Sequence, residues 1–121
     1  MPKEFSRSER MAEQVRRELA ELVRDEVKDP RLGWVSFTEV KVSRDLSHAS
    51  VYFTVMDTDD REHSLQALTS AAGFLRNQLA KRIRARVVPA LRFFYDDSIE
   101  RGSSMDSLIA RARASDPDQD S

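Results

Sequence analysis

The run Leu65, Leu68, Ala72, Leu75, Leu79, Ile83 constrains this chain most, because its apolar spacings are 3, 4, 3, 4 and 4. Only an α-helix, at 3.6 residues per turn, brings such positions onto one face. The pattern predicts one long amphipathic helix ending near Arg86, with Pro89 as its stop. Gly73 lies inside it and costs about 1 kcal/mol relative to Ala, which weakens a helix without breaking it. Asp59-Asp60-Arg61-Glu62 supplies a capping-box-like start.

A second helix precedes it. Ser6-Arg7-Ser8-Glu9 has the form of a capping box, and Ala12, Val15, Leu19, Leu22, Val23 and Val27 recur at helical spacing. The helix is expected over roughly 8–28, closed by Asp29-Pro30. Trp34 to Ser43 reads as a strand, with Val35 and Phe37 on one face and Val40 and Val42 on the other. A bulge near Thr38-Glu39 would bring all four to the same side. Ser43 to Ser47 is a turn. Ala49, Val51, Phe53 and Val55 then alternate with Ser50, Tyr52 and Thr54, so the two strands form an antiparallel hairpin. Leu91, Phe93 and Tyr95 alternate with Arg92, Phe94 and Asp96 as a third strand, and Ser103 could cap a short helix holding Met105, Leu108 and Ile109. The order is α-β-β-α-β-α, an α+β layer with helices on one face of a small sheet. Residues 1–113 are expected to form one domain and 114–121 a disordered acidic tail.

The absence of cysteine removes disulfides and thiolate metal sites. No apolar run approaches the ~20 residues that span a bilayer, and the first residues lack the apolar core of a secretory signal. A soluble cytoplasmic protein is expected. The net charge of −1 decides nothing about nucleic acid, but its distribution does. From His63 to Tyr95 there is no Asp or Glu, while Arg76, Lys81, Arg82, Arg84, Arg86 and Arg92 fall in that stretch. On an ideal helix, Lys81 and Arg84 oppose the Leu75-Leu79-Ile83 face, Arg76 and Arg82 flank it, and Arg86 falls beneath the apolar stripe. Guanidinium groups suit phosphate, so Arg76, Lys81, Arg82, Arg84 and Arg86 are the candidate contacts to a phosphate-bearing ligand, with Arg7 and Arg10 extending the surface. The plainer reading of such residues is a solubilising face, although solvated helices usually mix signs.

Several segments resemble the ribosome-binding factor A family, in the same order and at similar spacing. They are Lys28-Asp29-Pro30-Arg31-Leu32-Gly33, Val42-Ser43-Arg44-Asp45-Leu46, Ala49-Ser50-Val51-Tyr52, Gly73-Phe74-Leu75-Arg76, Arg86-Val87-Val88-Pro89-Ala90-Leu91 and Phe93-Phe94-Tyr95-Asp96-Asp97-Ser98. The resemblance spans Phe5 to Ile109 and implies a type II KH-like domain. It implies a non-catalytic ribosome-assembly factor without cofactor, monomeric, that binds free small ribosomal subunits and their precursor rRNA. It also implies assistance in late maturation and 5′-end processing of 16S rRNA, and a need for the protein in the cold. In place of the KH Gly-x-x-Gly loop the family has an Ala-x-Gly kink, at the position of Ala71-Ala72-Gly73, which would divide the long helix. Without that loop, folded rRNA recognised by shape and phosphate is the expected ligand rather than a single strand clamped in the KH manner.

Other readings compete. Phe74 could stack on a base, but a kink would turn it into the core; Tyr52 is equally ambiguous. His48 and His63 are isolated and read as surface residues. Asp96, Asp97 and Glu100 could hold Mg²⁺ as a nuclease site, against turn and cap chemistry after the third strand, which is preferred. A KH-like module acting outside the ribosome and a scaffold pairing through Leu65 to Ile83 are the remaining alternatives. No small-molecule substrate, metal or membrane partner is expected.

Overall fold

The computed structural model describes residues 6–98. Helix α1 spans Arg7–Glu26. Its capping box forms as expected: the Glu9 amide donates to Ser6 Oγ at 3.2 Å, and the Ser6 amide donates to Glu9 Oε1 at 2.9 Å. Met11, Val15, Leu19, Leu22 and Val23 are its buried stripe. After Val27 the chain reverses at Asp29-Pro30, where Asp29 accepts from the Arg31 amide and from its guanidinium at 2.7 Å. The Gly33 amide then donates to Ser64 Oγ, a side chain with no solvent exposure. Glycine is required there by a close approach: a Cβ on Gly33 would fall 2.7 Å from an Asp60 carboxylate oxygen.

Strands β1 (Val35–Val42) and β2 (His48–Val55) form the antiparallel hairpin. The register shifts between Phe37 and Glu39, so the bulge falls where the alternation required it. Phe37 and Val40 are thereby both buried under the helices. Leu46 closes the turn in the left-handed region at φ 64°. Asp45 organises that turn by accepting from the hydroxyls of Ser43 and Ser47, each at 2.7 Å, and from the Ser47 amide at 3.1 Å.

A 3₁₀ turn at Thr58–Asp60 leads into α2 (Arg61–Arg82), and β3 (Ala90–Tyr95) follows. β3 lies parallel to β2, giving a mixed sheet of order β1-β2-β3. Both helices cover one face, with α1 over β1 and α2 over β3. Between the layers Val15, Leu19, Leu22, Val51, Phe53, Leu68, Leu75 and Leu79 lose all solvent contact. This is the expected α+β architecture. The short helix proposed after Ser103 and the acidic tail lie outside the described residues.

Three details differ from expectation. The capping box at Asp59–Glu62 does not form; Asp57 instead accepts from the Asp59 amide and caps the 3₁₀ turn, while Asp60 makes no side-chain cap bond. Helix α2 runs as one element through Ala71, Ala72 and Gly73, so the expected division into two helices there is not seen. Gly73 has no positive φ, and Leu68, Leu75 and Leu79 are buried on either side of it. A glycine penalty of about 1 kcal/mol is small beside ~1.5–3 kcal/mol for each buried leucine. Finally, α2 stops at Arg82, four residues early, because Ile83 turns extended at φ −98°, ψ 123° and the β-branched pair Val87-Val88 follows. Ile83 is nonetheless buried, so it continues the apolar stripe without being helical.

A candidate nucleic-acid interface at one end of the sheet

The segment 83–89 is pinned at both ends, by buried Ile83 on one side and by Val88 and Pro89 on the other. Between these anchors Arg84, Ala85, Arg86 and Val87 are pushed into solvent. The first turns of α1 and the β1–β2 turn reach the same end of the molecule. Arg7 and Arg10 from α1, Arg44 from the turn, and Arg84 and Arg86 thus line one open cleft of about 550 Å³. Met11, Leu46 and Val87 give it an apolar floor. Asp45 is the acid among the lining residues, and its carboxylate is already engaged by three donors. Those hydrogen bonds, the one from the Ser47 hydroxyl foremost, hold its pKa down from 3.8 to about 2. Among the described residues Arg44, Arg84 and Arg86 have no ion-pair partner. A concave surface of guanidinium forks with its acid occupied is suited to phosphate oxygens.

The predicted site residues therefore separate. Arg7, Arg10, Arg84 and Arg86 come together, although Arg84 and Arg86 reach the cleft from an extended segment rather than from a helix face. Arg76 stays exposed, with its Nε donating to the Val88 carbonyl at 3.1 Å and tying α2 to the arginine segment. Arg82 clasps the helices together by donating to Glu18 at 3.1 Å and Glu21 at 3.2 Å on α1; its hydrogen bond to Glu18 is the main cause of its raised pKa. Lys81 is exposed in the last turn of α2 but does not line the cleft. Ala71, Ala72 and Gly73 lie within the single helix α2 and do not line the cleft. Arg44 is the residue that sequence reasoning missed. It sits beside Asp45 in a turn, where a neighbouring acid suggests local pairing, yet the Asp45 carboxylate turns to Ser43 and Ser47, and Arg44 has no ion-pair partner among the described residues.

The remaining candidates resolve as follows. Phe74 is 43% exposed and not in the core, because an unbroken helix carries it about 100° away from Leu75. Asp96 accepts from the Ser98 amide at 2.9 Å, which is turn chemistry, and from the Thr38 hydroxyl of β1 at 2.6 Å; Glu100 lies outside the described residues. His48 and His63 are both exposed. Among the described residues no group of three or more His, Cys, Asp or Glu side chains is placed to hold a metal ion, and no helix is long and apolar enough to cross a membrane. The stripe Leu68, Leu75, Leu79 is consumed by the protein's own core, leaving no seam for a coiled coil.

Comparison with known proteins agrees with this architecture. The family model described as ribosome-binding factor A matches residues 7–109. The chain is 52% identical over 117 residues to the ribosome-binding factor A of Chromobacterium violaceum, covering 97% of this chain and 85% of that protein. It is 56% identical over 110 residues to that of Aromatoleum aromaticum, covering 90% and 87%. The crystal structure of ribosome-binding factor A from Thermus thermophilus superposes with a TM-score of 0.66 at 34% identity, over 73% of this chain and 93% of that one. A homology model of the Thermus thermophilus protein, fitted into a cryo-electron microscopy map of a 30S complex, gives a TM-score of 0.61 at 35% identity, over 71% and 91%. The KH-like fold is common to these structures. By sequence over nearly its whole length and by fold, the chain belongs to the ribosome-binding factor A family.

Proposed function

We propose that the protein binds the small ribosomal subunit and its precursor rRNA, with the arginine cleft as the contact to phosphate, and thereby assists late maturation and 5′-end processing of 16S rRNA. The carrying observation is the convergence of Arg7, Arg10, Arg44, Arg84 and Arg86 from three separate elements on one concavity. The 30S complex of the Thermus thermophilus relative supports the choice of particle. In this reading the protein is a monomeric cytoplasmic binding factor without cofactor or catalysis, and its contribution is greatest in the cold, where misfolded rRNA escapes slowly.

Phosphate contacts release counterions, so each should add roughly −0.7 to −0.9 to the slope of log affinity against log salt. The test is a salt titration of binding to immature small subunits, for the wild type and for Arg44→Ala/Arg84→Ala/Arg86→Ala. The expected result is weaker binding with the slope flattened by ~2 to 2.7 units. An unchanged slope in a folded variant removes the cleft from the interface. Sedimentation of a lysate tests the particle: the protein should travel with free small subunits, and equal occupancy of translating ribosomes refutes the assignment.

A further inference from the structure

The sheet face turned away from the helices carries a second recognition surface. Its outward positions form cross-strand rows: Lys41-Ser50-Arg92, then Glu39-Tyr52-Phe94. Tyr52 and Phe94 stack with ring centroids 5.5 Å apart and an interplanar angle of 29°. Lys41 Nζ lies 5.7 Å from the Tyr52 ring centre, and the Arg92 guanidinium carbon lies 5.6 Å from that of Phe94. Phe94 is 36% exposed and the Lys41 side chain 65% exposed. Solvated sheet faces are ordinarily polar, as Ser36, Ser50 and Thr54 are here, so an aromatic pair bracketed by two cations calls for a ligand with both π-faces and negative charge. Unpaired nucleotides have both. Glu39 is the acid in these rows, and it lies 4.0 Å from Lys41, at the limit of an ion pair.

The placement also gives a path. The His48–Ala90 row adjoins the β1–β2 turn that carries Arg44. It is roughly 13 Å from the Tyr52–Phe94 row, at ~3.3 Å per residue. A strand a few nucleotides long, leaving the arginine cleft, would cross Lys41 and Arg92 and reach the aromatic pair.

We infer that this face binds single-stranded RNA, with bases stacked against Tyr52 and Phe94 and phosphates held by Lys41 and Arg92. The site stands on the sheet's own geometry, so it survives or fails independently of the arginine cleft. The probe is a fluorescein-labelled unstructured RNA octamer, oligo(U) or oligo(A), read by anisotropy with the full chain. Base–aromatic stacking is worth ~1–3 kcal/mol per base, about 5- to 150-fold. Tyr52→Leu/Phe94→Leu keeps apolar bulk and removes the rings. It should weaken binding at least about tenfold with the salt slope unchanged, whereas Tyr52→Phe should bind as the wild type does. Lys41→Ala/Arg92→Ala should instead flatten the slope by ~1.4 to 1.8 units. In the wild-type protein, an octamer carrying 4-thiouridine should photocross-link to peptides holding Tyr52 or Phe94, a readout that requires no variant to fold. No binding of the octamer, cross-links confined to the Arg84–Arg86 segment, or equal affinity of the double leucine variant each overturns the proposal. Binding of protein segments in place of RNA at this face overturns it as well.

Discussion

Replacing Gly73 with alanine should make the protein more stable. Gly73 lies twelve residues into a helix that continues to Arg82, and it has no positive φ. A Cβ built there meets nothing within 4 Å, so the methyl group introduces no clash. What remains is the helix-propensity difference, about 0.8–1.0 kcal/mol in an exposed interior position, arising largely from the unfolded chain's lost freedom. For a domain of roughly 100 residues, 1 kcal/mol moves Tm by roughly 4–8 °C. Thermal unfolding followed by circular dichroism should show a rise of that order, and urea titration should show a higher midpoint with an unchanged m-value. A fall in Tm would mean that the helix is bent at Ala71-Ala72-Gly73 and needs glycine there.

Gly33→Ala should act in the opposite direction, lowering stability by on the order of 1 kcal/mol, because the new Cβ would stand 2.7 Å from an Asp60 carboxylate oxygen; the same unfolding experiment reads it. Arg82→Ala should lower Tm slightly through loss of the Glu18 and Glu21 clasp, yet leave the salt slope of RNA binding unmoved, the reverse of Arg84→Ala. Asp45→Asn should reveal a pH dependence. Asp45 is held at about 2 in the folded protein against an ordinary 3.8, so its stabilising contribution is full above pH ~4 and is lost as pH falls through about 2. The Tm gap between wild type and Asp45→Asn should be constant from pH 7 to about 5 and close towards pH 2; a gap that widens on acidification contradicts the hydrogen-bonded turn.

What could be read in the sequence was what side-chain periodicity reports, namely faces. Val35, Phe37, Val40 and Val42 could share a buried face only through a bulge, and the bulge is there. The same logic misplaced the end of α2. Ile83 keeps the apolar spacing of Leu75 and Leu79 and is buried with them, yet it is extended, and nothing in a spacing of four distinguishes these cases. That single difference moved Arg84 and Arg86 from a helix face to a cleft. Arg82 illustrates a second limit: its partners Glu18 and Glu21 belong to the other helix, so a stretch without acids looked uncompensated when part of it was already paired. The aromatic pair was half visible. Tyr52 stood out as ambiguous, but only the parallel register of β3 against β2 brings Phe94 beside it.

That parallel register also sets when the protein can act. The β1–β2 hairpin is closed by a short local turn, whereas β3 can join β2 only after the crossover 56–89 has been gathered, α2 included. Contacts of long sequence separation form late, because the entropy of closing the loop must be met before they contribute. Seating β3 is also the step that fixes Val88 and Pro89, and so the arginine segment, and that brings Arg92 and Phe94 onto the sheet. A chain whose hairpin and helices are complete but whose β3 is still unmade lacks Arg92 and Phe94 and has no anchor for the segment that carries Arg84 and Arg86. If the proposed surfaces bind RNA, their affinity should therefore depend on the seating of β3, and a chain cut before Ala90 should bind far more weakly than the full chain.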